Sequence, residues 1–137
     1  MKKIYQTRFG NPGGNCHQAA MASLLELELS QVPDFCNDSP NKWWSLMVKW
    51  LNRKGYGVAA ILMNDRFTPI CCSVAGLCLL GVASSNDPSG MHSVVGTSEI
   101  TDGKVNLKVV FDPNPNASSK TTYEIKDAIW IVKNAVK

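Results

Sequence analysis

Met91-His92-Ser93-Val94-Val95-Gly96-Thr97, then Thr101-Asp102-Gly103-Lys104, then Val105-Asn106-Leu107-Lys108-Val109-Val110-Phe111 is the stretch that decides the fold class. Both flanks are rich in β-branched residues, and the Asp-Gly pair between them is turn chemistry. Two antiparallel strands joined as a hairpin are expected. Three more short apolar or alternating runs, Val58 to Met63, Gly76 to Ala83 and Ile129 to Val132, also read as strands. Turn-forming residues separate the runs, including Asn64-Asp65, Asn86-Asp87-Pro88-Ser89-Gly90 and Asp112-Pro113-Asn114-Pro115.

Upstream of residue 58 the period is different. A short strand is predicted over Lys3 to Thr7. It ends in a loop where Gly10, Pro12, Gly13 and Gly14 can continue neither helix nor strand. A helix follows, with Ala20, Ser23, Leu24 and Leu27 at helical spacing, Asn15 as N-cap and Cys16 in the first turn. Ser30 to Phe35 reads as a capped single turn. A second helix, capped by Ser39 or Asn41, presents Trp43, Leu46, Met47, Trp50 and Leu51 on one apolar face and stops at Lys54-Gly55. Trp44 falls off that face. Two helices followed by mostly antiparallel strands define an α+β fold.

The chain of 137 residues has the size of one domain, and no repeat or linker divides it, so residues 1–137 are read as a single unit. With 45% hydrophobic and 18% charged residues it is too apolar to be disordered. The longest apolar run, Ile70 to Ala83, is about 14 residues, short of the roughly 20 of a membrane span. The polar start, Met1 to Arg8, has no apolar signal region. A cytoplasmic protein without membrane association is expected. The net charge of +3 comes from basic residues spread along the chain, so no nucleic-acid partner is expected. Five cysteines, at 16, 36, 71, 72 and 78, form neither an even disulfide framework nor a C-x-x-C zinc motif. Cys36, Cys71, Cys72 and Cys78 are read as packing residues.

Cys16 is different because the start of a helix stabilises a thiolate. It needs a base, and only two histidines exist. His17 is adjacent in a helix and points about 100° away, which makes it a poor base and a surface or rim residue. His92 opens one strand of the hairpin and Asp112 ends the other, so the two are expected side by side. Asp112 can then accept the Nδ1 proton of His92 and leave Nε2 toward the thiol.

Gly14-Asn15-Cys16-His17-Gln18-Ala19-Ala20 opening a helix, Met91-His92-Ser93-Val94-Val95 opening a strand and Phe111-Asp112-Pro113 closing the next resemble the papain-like cysteine peptidases. The pattern is most similar to the C39-like, bacteriocin-processing branch and its small phage and bacterial relatives. The resemblance spans roughly residues 4 to 115. It implies a papain-like fold, a Cys16–His92–Asp112 triad and an oxyanion-binding glutamine upstream of the cysteine, here Gln6, beside the Cys16 N–H. Gln6 lies farther from Cys16 than the family pattern has it, and His17 replaces a glycine after the nucleophile. The chain carries no transporter domains such as flank the bacteriocin processors.

The expected activity is cofactor-free cysteine-dependent acyl transfer, most simply hydrolysis of a peptide or isopeptide bond in a peptide or protein substrate. Deamidation or transglutamination by the same triad is an alternative. So is an inert papain-like binding module that inhibits a host partner. Trp44 and the 86–90 loop are candidates for a substrate rim. Substrate sequence and oligomeric state are not encoded in any of these patterns.

Overall fold

The computed structural model describes residues 1–10, 12–62, 75–84, 90–118 and 121–134. It is α+β. Helices α1 (Cys16–Leu25), α2 (Phe35–Asp38) and α3 (Trp43–Arg53) precede strands β1 (Tyr56–Leu62), β2 (Gly76–Ala83), β3 (Met91–Thr101), β4 (Lys104–Phe111) and β5 (Ile125–Lys133). A 3₁₀ turn, Leu29–Gln31, lies between α1 and α2. The strands make one sheet in the order β1-β5-β2-β3-β4, and each neighbouring pair is antiparallel.

The hairpin forms where the Asp-Gly pair stands. Thr101 pairs with Lys104, and Asp102 and Gly103 have positive φ, 51° and 73°. A two-residue turn of that sign follows the right-handed twist of its strands. β5 begins four residues before the expected run. Lys126 and Asp127 disguise its start, although Asp127 pairs with both Leu62 and Gly81.

Both faces of the sheet are covered. Leu79, Val95, Phe111 and Ile129 pack under the helices with Ala20, Met21, Val32, Phe35, Met47 and Leu51. Their chain neighbours Cys78, Leu80, Val94, Ala128 and Trp130 form a second buried cluster, which strand alternation puts on the opposite face. Two buried faces explain why Leu79-Leu80 and Val94-Val95 read as continuous apolar runs. In α3, Met47 and Leu51 are buried, while Trp43, Leu46 and Trp50 pack partly buried against the same core. Trp44 is 40% exposed, as its position off the face requires.

Three local expectations are corrected. Residues 3–7 are not a strand: Ile4 N–H donates to Ser23 Oγ and Gln6 N–H to the Pro113 carbonyl, so the segment never meets one partner along a ladder. Neither Ser39 nor Asn41 caps α3. Its N-cap is Lys42, whose N–H closes a turn onto the Ser39 carbonyl. Asn15 does occupy the N-cap position of α1, but its side chain does not cap the helix. Cys71 and Cys72 lie outside the described residues. No helix among the described residues is long and apolar enough to cross a membrane.

Candidate active site

The glycine-rich loop delivers Cys16 to the first position of α1. It folds back on itself through Gly14 N–H to the Gly10 carbonyl (3.0 Å) and Asn15 N–H to the Arg8 carbonyl (3.2 Å). A Cβ on Gly14 would lie 2.6 Å from the Gly10 carbonyl oxygen, so only glycine closes this loop without a backbone shift. From outside, Asn37 on α2 accepts from Gly13 N–H at 3.2 Å and donates to the Gly14 carbonyl at 2.9 Å.

Asn15 is 2% exposed and uses its amide as a bracket. Its Oδ1 accepts from Thr7 N–H (3.0 Å) and Arg8 N–H (2.9 Å), and its Nδ2 donates to Thr7 Oγ1 and Gln18 Oε1. Because those bonds go to the 7–8 segment, the amide is not free to cap α1. The 6–8 segment is thereby held beside the nucleophile, and Gln6 N–H donates to the Pro113 carbonyl at 2.9 Å. The loop thus folds back, as the ten-residue spacing of Gln6 and Cys16 requires, with the Gln6 side chain on the Arg8 carbonyl that also accepts from Asn15 N–H.

Helix α1 packs against β3, which brings Cys16 to His92. The Cys16 thiol and the His92 side chain are hydrogen-bonded, and the backbone N–H groups of Ser93 and His17 also donate to Sγ. His92 Nε2 lies 2.7 Å from Asp112 Oδ1. The expected ring orientation is therefore reversed: Nε2 faces the carboxylate, and Nδ1 is the nitrogen left for the thiol. His92 stands three residues before Val95 and Asp112 one residue after its partner Phe111, so the distal ring nitrogen is the one that reaches the carboxylate.

Asp112 is held by more than the imidazole. Oδ1 also accepts from Asn114 N–H at 2.8 Å, and Oδ2 accepts from Tyr123 O–H at 2.9 Å. Burial raises the Asp112 pKa, but these donors and the His92 charge outweigh it and hold the carboxyl below its usual range. Tyr123 itself is pushed up to about 12 by burial and by the carboxylate it serves.

Burial disfavours charge on both Cys16 and His92, and their interactions overrule it in each. For Cys16, the His92 hydrogen bond, the two backbone N–H groups and the His92 charge outweigh burial and lower the pKa. For His92, burial lowers the pKa, while Asp112 and Cys16 together raise it to about 9. The two shifts bring the thiol toward thiolate and the imidazole toward imidazolium, the directions that activate a cysteine. By contrast, burial pushes Cys36 and Cys78 up to about 12, the former helped by the charges of Cys16 and Asp34. These two fit the packing role expected of them.

Gln6 is 8% exposed. One Nε2–H donates to the Arg8 carbonyl at 3.1 Å; among the described residues the second meets no acceptor and the buried Oε1 has no hydrogen-bond partner. His17 overturns its expectation, being neither on the surface nor on a rim. The residue is 8% exposed, with Nδ1 3.3 Å from Ser93 Oγ and its ring edge-on to Trp43 at 5.3 Å. Burial drives its pKa down to about 4, against a smaller opposing pull from Asp34. Of the suggested rim, Trp44 is exposed, and residues 86–89 lie outside the described residues.

Sequence reasoning missed Tyr123, the side-chain role of Asn15, and Ser93. Only Ser93 carried a signal, its adjacency to His92. Among the described residues no group of three or more His, Cys, Asp or Glu side chains is arranged to hold a metal ion. No protein-family model, curated protein or solved structure matches the chain.

Proposed function

We propose that the chain is a cysteine-dependent acyl-transfer enzyme of papain-like type, acting as a hydrolase of peptide or isopeptide bonds. The observation that carries this reading is the unbroken hydrogen-bonded line from Cys16 through His92 to Asp112. A helix-start cysteine, a strand-start histidine and an acid on the paired strand also fit the C39-like resemblance. In the first step Cys16 Sγ attacks the carbonyl carbon. The oxyanion is met by backbone N–H at the start of α1 and the second Nε2–H of Gln6. The imidazolium of His92 gives its Nδ1 proton to the leaving amine, and the amine departs from the thioester. Neutral His92 then takes a proton from water, whose oxygen attacks the thioester. Cys16 leaves as thiolate, and Asp112 neutralises the imidazolium at both stages.

The test combines thiol reactivity with turnover. Iodoacetamide should alkylate Cys16 well below pH 8.5, the region of an ordinary thiol, and His92→Ala should abolish that advantage. Peptide libraries and isopeptide-linked substrates, followed by mass spectrometry, should yield new termini with the wild type and none with Cys16→Ala. Release of ammonia without new termini would move the reading to deamidation. A folded Cys16→Ala variant with wild-type turnover would overturn it.

A further inference from the structure

His17 is the buried titratable group that the proposed mechanism does not use. It follows the nucleophile directly, as Ser93 follows the base. The two side chains meet, with Nδ1 to Oγ at 3.3 Å. The backbone N–H groups of these same two residues both donate to Cys16 Sγ. One seam between α1 and β3 therefore contains the thiol, its imidazole and two backbone donors, and one side-chain hydrogen bond crosses it beside them.

Packing alone does not explain a histidine here. The ring lies against Trp43, and its Nε2 is buried without a hydrogen-bond partner among the described residues. Burying an unpaired polar atom is costly, so an apolar side chain would fill the same space at lower cost. What an apolar side chain lacks is the Nδ1 bond to Ser93. Because burial keeps the ring neutral at working pH, that bond persists without adding a positive charge beside the imidazolium of His92.

We propose that His17 is a positioning residue, whose Nδ1–Ser93 Oγ bond ties the start of α1 to the start of β3 and thereby sets the spacing of Cys16 and His92. This inference rests on the Cys16–His92 reading above and adds a residue that touches neither substrate nor reacting atoms. Loss of the tie lets the two element ends separate slightly, which lengthens every hydrogen bond that stabilises the thiolate. Asparagine places a polar atom near the position of Nδ1, whereas glutamine places one near Nε2. The two variants therefore identify the working atom.

The experiment measures iodoacetamide alkylation of Cys16 against pH, peptide by peptide, in His17→Phe, His17→Asn, His17→Gln, Ser93→Ala and His92→Ala. Thermal unfolding monitors the fold of each. His17→Phe, His17→Gln and Ser93→Ala should move the acid limb of the profile up by about one pH unit, a roughly tenfold slower reaction below the limb. His17→Asn should stay near wild type. A folded His17→Phe with the wild-type limb overturns the proposal, as does a folded His17→Asn as impaired as His17→Phe. Should His17→Phe not fold, Ser93→Ala decides, since it removes only the hydroxyl side of the tie; a wild-type limb there overturns it equally. If His92→Ala shifts the limb and the tie variants do not, this proposal alone fails. If His92→Ala leaves the limb in place, the Cys16–His92 reading fails and takes the proposal with it.

Discussion

Single atoms decide more at this site than residue types do. His92 meets Asp112 through Nε2, which leaves Nδ1 as the ring nitrogen toward the sulfur. Asn15 shows the same economy, since the residue suited to capping α1 spends its amide on Thr7, Arg8 and Gln18. Asn15→Ala should leave the N–H groups of Thr7 and Arg8 without their acceptor. We expect a loss of about 2–4 kcal/mol in urea unfolding, the sum of partly buried donors at about 1–2 kcal/mol each. A change below about 0.5 kcal/mol, typical of an ordinary surface substitution, would show that the bracket is not structural. Cys16, His92 and Asp112 were legible as a set because helix-start and strand-start positions can be read from local patterns. Tyr123 was not. It stands 11 residues beyond Asp112 in a segment without periodic signal, and only folding brings its O–H to Oδ2.

At the scale of elements, the β3–β4 hairpin carries His92 and its partner Asp112 on one local unit. Its register follows from the turn: Thr101 opposite Lys104 leads, through a shift between Val95 and Gly96, to Val95 opposite Phe111. His92 and Asp112 then both lie just beyond the end of that pairing away from the turn, where their side chains meet. Gly103 holds φ 73° at the hairpin tip with open space around a would-be Cβ. Gly103→Ala should cost about 1 kcal/mol from left-handed backbone strain alone, read as a lower urea midpoint at unchanged m-value. The Cys16 alkylation profile should stay intact if the register survives; a slipped register would impair both. Hairpin and helix boundaries were legible because turn chemistry and period act over a few residues. The beginning of β5 was not, since Lys126 and Asp127 look like loop until β1 and β2 pair with Asp127 and β2 with Ile125.

Across the whole molecule, charge and fold are linked through pH. In the pair Cys16–His92 the two shifts act in opposite directions: the raised His92 value makes stability fall as pH rises from 6.5 through about 9, and the lowered Cys16 value makes it rise as pH climbs toward the unfolded thiol value of 9. His17 behaves differently. Its folded pKa of about 4 lies below the unfolded 6.5, so between those values the unfolded chain binds the extra proton. Stability is then full above pH 6.5 and falls as pH drops toward 4, by about 3 kcal/mol at most. Urea midpoints should decline across that window in the wild type, and His17→Asn should flatten the decline. An equal slope in both would show that other groups dominate. Asp34, whose charge opposes the His17 shift, is bound by Arg8 and Asn37 and belongs to the same neighbourhood. By itself the sequence determined the α+β class, the hairpin, the helix-start cysteine and the identity of the three aligned residues. Each follows from period, turn chemistry or capping preference, interactions that span a few positions. Tertiary structure alone decided that β5 lies between β1 and β2, that His17 is buried, that Asn15 brackets rather than caps, and which imidazole nitrogen meets the thiol. Those outcomes depend on groups far apart in the chain competing for the same space and hydrogen bonds, and only the packed molecule resolves that competition.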